Sequence, residues 1–153
     1  MKICVCSDSH GNYYGLQELI DREKPRYVYF LGDGERDWGQ VDLPWDTAFA
    51  AVSGNCDFLS MEPPFRKIQL GGKRIFMTHG HMYGAKQGLH GLVQQAKQCD
   101  ADLVLYGHTH QQTLEQIGNT LYLCPGSMNS SENRYAIVTI DENHGIDVAL
   151  CQL

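Results

Sequence analysis

Five apolar, β-prone runs, each cut off by a polar cluster, constrain this chain more than any other feature. Residues 2–6 run into Ser7-Asp8-Ser9-His10, residues 27–31 into Gly32-Asp33, and residues 47–52 into Gly54-Asn55. Residues 74–78 run into His79-Gly80-His81, and residues 103–106 into Gly107-His108-Thr109-His110. Runs that are continuously apolar, as 2–6 and 103–106 are, mark strands buried on both faces. In open α/β sheets, ligands bind outside the carboxyl ends of the strands, and every one of these clusters lies at such an end.

Between the runs the periodicity changes. Asn12 is placed to cap a helix carrying Leu16, Leu19 and Ile20 at i, i+3, i+4, which Lys24-Pro25 stops. Leu89, Leu92, Val93 and Ala96 predict a second amphipathic helix over residues 86–99. Gly71-Gly72 between 67–70 and 74–78 is a hairpin signal. Residues 35–45, with Trp38, Pro44 and Trp45, read as a packed loop, and the runs 120–124, 135–140 and 146–151 as mostly antiparallel strands. Helices alternating with strands first and strands alone later predict a sheet passing from parallel to antiparallel pairing, folded into two stacked sheets with helices outside. At 153 residues with no repeat or linker, one domain spanning 1–153 is expected.

Composition removes several function classes. A net charge of −6 argues against broad attraction to long nucleic acid or acidic lipid, which needs clustered Lys and Arg. No apolar run approaches the ~20 residues of a membrane span. Polar residues arrive too early for a secretory signal, so a cytoplasmic location is the expectation. The six cysteines lack C-x-x-C spacing and are expected to be free thiols, mostly buried.

Each cluster alone has an ordinary reading. Asp8-x-His10 could be a turn, Gly32-Asp33 a strand-to-loop junction, Gly54-Asn55 a turn, and His79 a structural histidine. His108-x-His110 after a buried strand is harder to explain by packing. Jointly, at successive strand ends, they form a mixed nitrogen and oxygen donor set without thiolate, suited to Mn²⁺, Fe or Zn²⁺. In extended segments, residues two apart face the same way, so each Asp-x-His or His-x-His pair would grip an ion from one side. Asp33, alone after its strand, could lend one oxygen to each of two ions. Two cations about 3.5–4 Å apart can clamp a phosphoryl group and generate hydroxide at neutral pH.

These five blocks resemble the calcineurin-like metallophosphoesterase superfamily, whose pattern is D-x-H, G-D, G-N-H/C-D, an isolated H and G-H-x-H. The match runs from Asp8 to His110, with Pro125-Gly126-Ser127 beyond it, and the short length is most like the small YfcE-type phosphodiesterases. The resemblance implies an α/β fold, a four-layer αββα sandwich of two stacked mixed sheets flanked by helices. It implies two divalent ions, with Mn²⁺ preferred and Fe, Zn²⁺ or Ni²⁺ as alternatives. Asp8, His10, Asp33 and His110 would hold one, and Asp33, Asn55, His79 and His108 the other. The implied reaction is hydrolysis of a small phosphodiester by a metal-bridging hydroxide, with Asp33, Asn55, Cys56 and His81 as the catalytic positions.

Cys56 departs from the pattern, because many relatives have there a histidine that protonates the leaving group. A thiol beside two cations tends toward thiolate, which cannot donate, so alkyl monoesters are expected to be poor substrates. His81 is expected to contact substrate or support His79, and Asp57 to fix the Asn55 loop or touch ligand. Tyr13, Trp38, Trp45 and Tyr83 are candidates for a cleft or subunit contact, which leaves a homo-oligomer open. Arg36 and Arg134 are candidate phosphate binders without a spacing argument, and His90 and His144 are not expected to ligate. The competing class is a non-catalytic scaffold, as in the related retromer subunit, and the full set of seven ligand positions speaks against it.

Overall fold

The computed structural model describes all residues, Met1–Leu153, and forms two five-stranded sheets packed face to face. The first sheet contains β1 (Lys2–Cys6), β2 (Tyr27–Phe30), β3 (Ala48–Ala51), β9 (Arg134–Ile140) and β10 (Ile146–Gln152), in the order β10-β9-β1-β2-β3. β1, β2 and β3 are parallel, while β9 and β10 join antiparallel. The second sheet contains β4 (Phe65–Leu70), β5 (Lys73–Thr78), β6 (Leu103–Leu105), β7 (Gln112–Ile117) and β8 (Thr120–Pro125), in the order β4-β5-β6-β8-β7.

Period-two alternation explains the four layers. Ile3, Val5, Tyr29 and Leu31 of the first sheet face Ile75, Met77, Leu103, Leu105 and Leu123 of the second, forming the central core. The residues between them point outward. Cys4, Cys6, Val28 and Phe30 are covered by Leu16, Leu19 and Ile20 of α1 (Tyr13–Glu23), while Phe76, Val104 and Tyr122 are covered by Leu92 and Ala96 of α2 (His90–Cys99). The expected αββα sandwich is therefore the observed one. Asn12 caps α1, its side chain accepting from the Gly15 N–H at 3.1 Å.

Several expectations need correction. α2 begins at His90 rather than residue 86, because Gly84 and Gly88 at φ 66° and 130° interrupt the chain around a single 3₁₀ turn, Ala85–Gln87. Residues 35–45 contain a 3₁₀ helix, Glu35–Gln40, and only one of the two tryptophans packs. Trp38 is buried against Phe30 and Phe49, whereas Trp45 is 96% exposed. β7 was not foreseen, since as a mostly exposed edge strand it has no apolar run to betray it. Of the later strands, β8 runs parallel to β6 but antiparallel to β7, and β9 and β10 pair antiparallel, so these strands are mostly antiparallel as expected. No helix is long and apolar enough to cross a membrane. All six cysteines are free; Cys4, Cys6 and Cys124 are buried, Cys99 and Cys151 half-buried, and Cys56 exposed.

Candidate metal centre

The centre gathers where β1, β2, β3, β5 and β6 end. Backbone geometry there is unusual: Asp8, His10, Asp33, His108 and His110 have φ of 54°, 43°, 60°, 73° and 61°. Left-handed backbone costs a side-chain-bearing residue roughly 1–2 kcal/mol. Only ten non-glycine residues of the chain adopt it, and five of them are these. Such strain persists only where the surrounding structure over-determines it.

The strain redirects the side chains. Asp8, His10 and His110 form one group, and Asp33, His79 and His108 a second, the donor atoms of each lying within 4.8 Å of one another. The extended geometry expected of Asp-x-His and His-x-His is therefore not found. Left-handed residues at both ends of each triplet turn the backbone, and His108 and His110 diverge into different groups.

Hydrogen bonds use one oxygen of each carboxylate and leave the other to face the imidazoles. Asp8 Oδ2 accepts from Ser7 Oγ at 2.7 Å and from the His108 N–H at 3.0 Å. Asp8 Oδ1 is left 3.2 Å from His110 Nε2, 3.6 Å from His10 Nε2 and 3.8 Å from His79 Nε2 of the second group. Asp33 Oδ1 accepts the Cys56 N–H at 2.8 Å, and Oδ2 lies 3.3 Å from His79 Nε2 and 4.0 Å from His10 Nε2. Asp33 thus turns a single oxygen, Oδ2, toward both groups, rather than one oxygen to each as the sequence suggested.

His79 is fully buried, and its Nδ1–H donates to the Leu31 carbonyl at 2.7 Å, which leaves Nε2 with a lone pair aimed at the carboxylates. Asp8 Oδ1 and His79 Nε2 are buried polar atoms without any hydrogen-bond partner. Orphans of that kind are costly unless a bound ion satisfies them. The donor set and its two unsatisfied atoms fit divalent cations.

The electrostatics point the same way. Burial would raise the Asp33 carboxyl, yet the His79 contact and the Cys56 N–H hold it well below the usual carboxylate range. Burial works against protonated His79, yet Asp33 and Asp8 lift its pKa above the ordinary imidazole value. His81 and His108 are pushed down, first by burial and then by His79. Both are held as neutral imidazoles, the ligating form.

Asn55 is exposed on the loop after β3, its Nδ2 3.5 Å from Cys56 Sγ. That loop reaches the centre through the Cys56 N–H bond to Asp33. Burial and then the Asp33 carboxylate push the exposed Cys56 thiol up. His81 belongs to neither group of three; its ring is 5.4 Å from that of His79 and 6.1 Å from that of His108, with a buried, unpartnered Nδ1. His90, exposed on α2, and His144, bonded to the Gly71 carbonyl, belong to neither group.

The supporting carboxylates were only partly foreseen. Asp57 accepts four backbone N–H groups, from Asp33, Gly34, Glu35 and Gly54, at 2.7–3.0 Å, and so fixes the Asp33 loop as well as the Asn55 loop. Asp37 accepts from Ser9 Oγ at 2.5 Å and the Gly11 N–H at 2.9 Å, holding the His10 loop. Nothing in the sequence pairs residues 28 apart in this way. Gly54 is required because a Cβ there would run into the Asp33 carboxylate.

An open cleft of about 250 Å³ adjoins the centre, and its lining includes His10, Asp33, Arg36, Cys56, Phe58 and Leu59. Arg134, Tyr13, Trp38, Trp45 and Tyr83 do not line it.

Comparison with known proteins agrees with this geometry. Residues 1–143 match the family model of the calcineurin-like phosphoesterase superfamily domain. The chain is 30% identical over 147 residues to the probable metallophosphoesterase YsnB of Bacillus subtilis, covering 94% of this chain and 86% of that one. It is 29% identical to the phosphodiesterase YfcE of Escherichia coli K12, covering 84% of this chain and 80% of that one. A Streptococcus pneumoniae crystal structure of a predicted phosphoesterase superposes with a TM-score of 0.78 at 28% identity, covering 98% of this chain and 97% of that one. With the strand-end motifs, the αββα layers and these matches in agreement, the chain belongs to the calcineurin-like phosphoesterase superfamily, among its YfcE-type metallophosphoesterases.

Proposed function

We propose that this protein is a dinuclear metal-dependent phosphodiesterase acting on small phosphodiesters. One observation carries the reading: two groups of three donors face each other across Asp33 Oδ2 and Asp8 Oδ1, and Asp8 Oδ1 and His79 Nε2, both buried, have no partner. Asp8, His10, Asp33 and His110 would hold one cation, and Asp33, Asn55, His79 and His108 the other. When bound, a pair of divalent cations supplies Lewis acidity for the phosphoryl oxygens and lowers the pKa of an attacking water.

The chain's own residues do the rest. Asp33 spans the two groups through Oδ2, and Asp57 holds its loop. His79 is kept in the ligating tautomer by the Leu31 carbonyl, and Asn55 and His81 border the position of the phosphoryl group. Cys56 lines the cleft beside Asp33, and with two cations bound its thiol would tend toward thiolate, which cannot donate a proton, so good leaving groups are favoured. Mn²⁺ is the metal we expect, with Fe, Zn²⁺ or Ni²⁺ as alternatives, and the domain spans 1–153. A small substrate suits the net negative charge and the short open cleft.

The test is metal analysis of the purified protein together with a panel of mono-, di- and cyclic phosphates. Exhaustive chelation should abolish hydrolysis and Mn²⁺ should restore it, with diesters preferred. Full activity in demonstrably metal-free protein would overturn the reading. Metal binding without turnover of any ester would favour the scaffold alternative.

A further inference from the structure

Three apolar side chains on the loop after Asn55, those of Phe58, Leu59 and Met61, have no folding role. Phe58 is 77% exposed and Leu59 is 95% exposed, so neither contributes to any core cluster. Leu59 also has φ 55°, backbone that disfavours a branched apolar residue. Scattered exposed apolar residues are ordinary. Adjacent ones on a pinned loop beside a cleft are not.

The loop is held at both ends. Asp57 anchors its start through four backbone N–H groups, and the Glu35 carboxylate anchors its far side, accepting from Ser60 Oγ and from the Met61 N–H at 3.2 Å. Glu35 lies two residues from Asp33, so the loop's position is referred directly to the metal centre. Phe58 and Leu59 line the same cleft as His10, Asp33 and Cys56. Arg36 lines it too, as the one Lys or Arg there, and none of the chain's ion pairs engages it.

We infer that Phe58, Leu59 and Arg36 form a specificity subsite for an aromatic group carried by the phosphodiester, adjacent to the scissile phosphorus. This rests on the phosphodiesterase reading and extends it to a substrate class. The Phe58 ring offers a face for stacking, Leu59 closes the apolar contact, and Arg36 supplies both a partner for phosphate oxygen and a guanidinium plane for a ring. A long acyl or alkyl chain would need a deep apolar tunnel, and the cleft is short and open.

The experiment compares two diesters with the same leaving group, bis(4-nitrophenyl) phosphate and methyl 4-nitrophenyl phosphate, on Mn²⁺-loaded wild type, Phe58→Ala and Leu59→Gly. Wild type should prefer the bis-aryl ester by about ten-fold in kcat/KM. Each variant should lower that ratio at least three-fold, and Leu59→Gly should melt no lower than wild type because glycine accepts its backbone. A binding arm uses phenylphosphonate and methylphosphonate by calorimetry, with the same ring preference expected in Kd.

A wild-type ratio near one, or a ratio unchanged in the variants, overturns the subsite. Equal losses on both esters, or a lowered melting temperature, assign the loop a structural role instead. If wild type self-associates in sedimentation and the variants are monomeric, the face belongs to a second copy and the inference falls. If neither ester is hydrolysed but phenylphosphonate binds with the predicted preference, the phosphodiesterase reading fails while the aromatic subsite stands.

Discussion

The two ends of the stacked sheets solve the same backbone problem in opposite ways. At the end opposite the metal centre, the β4–β5 and β7–β8 turns put glycines in left-handed conformations, Gly71, Gly72 and Gly118 at φ 58°, 77° and 60°. Glycine adopts these without steric cost. At the carboxyl ends of β1, β2 and β6, the left-handed corners are Asp8, His10, Asp33, His108 and His110. Side chains are left-handed at the far end too, in Lys24 and Asp100 at the C-caps of α1 and α2 and in His144 at φ 63° before β10, whose ring holds the Gly71 carbonyl at 2.7 Å. In the hairpin turns left-handed backbone thus falls to glycine, whereas at the candidate metal centre five potential donors carry it.

Asp33→Ala should break this contrast most severely. It removes an oxygen that faces both donor groups and should lower kcat/KM by on the order of 10³-fold, as expected for loss of a charge central to transition-state stabilisation. His144→Ala, at the far end, should stay within about two-fold of wild type. Near-normal Asp33→Ala with inactive His144→Ala would reverse the assignment of the two ends.

His10→Gly separates strain from function at one residue. Activity should fall by roughly 10²-fold through loss of a donor. The metal-free fold should gain about 0.5–1 kcal/mol, the relief of left-handed strain less the added freedom of the unfolded chain. A lowered melting temperature of the metal-free variant would show that the site end is not strained as described.

The His79 pKa, raised by Asp33 and Asp8 against the effect of burial, predicts a pH signature. The metal-free fold binds this proton more tightly than the unfolded chain does. The stability it contributes is complete below about pH 6.5, the unfolded value, and fades as pH rises through the higher folded value. A cation competes for the same nitrogen. Apparent Mn²⁺ affinity should therefore rise up to about ten-fold per pH unit across that window, one proton being released. Calorimetry in buffers of different ionisation enthalpy measures the proton count, and a flat profile from pH 6 to 8 would contradict the arrangement.

Cys56→His should raise turnover of alkyl monoesters by about ten-fold, because an imidazole can protonate a poor leaving group. Cys56→Ala should keep most aryl diesterase activity. If Cys56→Ala is dead with metals still bound, the thiol takes part in the chemistry. The smallest effect is expected at Lys24, the left-handed C-cap of α1 at φ 44°, which lies outside the site. Lys24→Gly should stabilise the protein by about 0.5–1 kcal/mol with no change in kinetics. Together with His10→Gly, it asks whether the same strain relief is free at one corner and costly in activity at the other.

The sequence by itself determined most of the strands, because burial on both faces leaves short continuous apolar runs bounded by turn residues, such as Ile3–Val5 and Leu103–Leu105. It offered the candidate donors too, since Asp8, His10, Asp33, His79, His108 and His110 stand together at successive strand ends. It was silent on β7, an exposed edge strand with no apolar period. Residue spacing did not say how the donors divide, which only the family resemblance implied. His108 and His110 are neighbours in sequence yet join different groups, because the left-handed backbone that separates them is imposed by the packing of the β1, β2 and β6 loops. The same holds for Asp57 and Asp37, whose partners lie 22–28 residues away along the chain, apart from Gly54 in the Asp57 loop itself. A carboxylate can recruit any backbone N–H that folding brings within reach, and sequence spacing does not record which ones arrive.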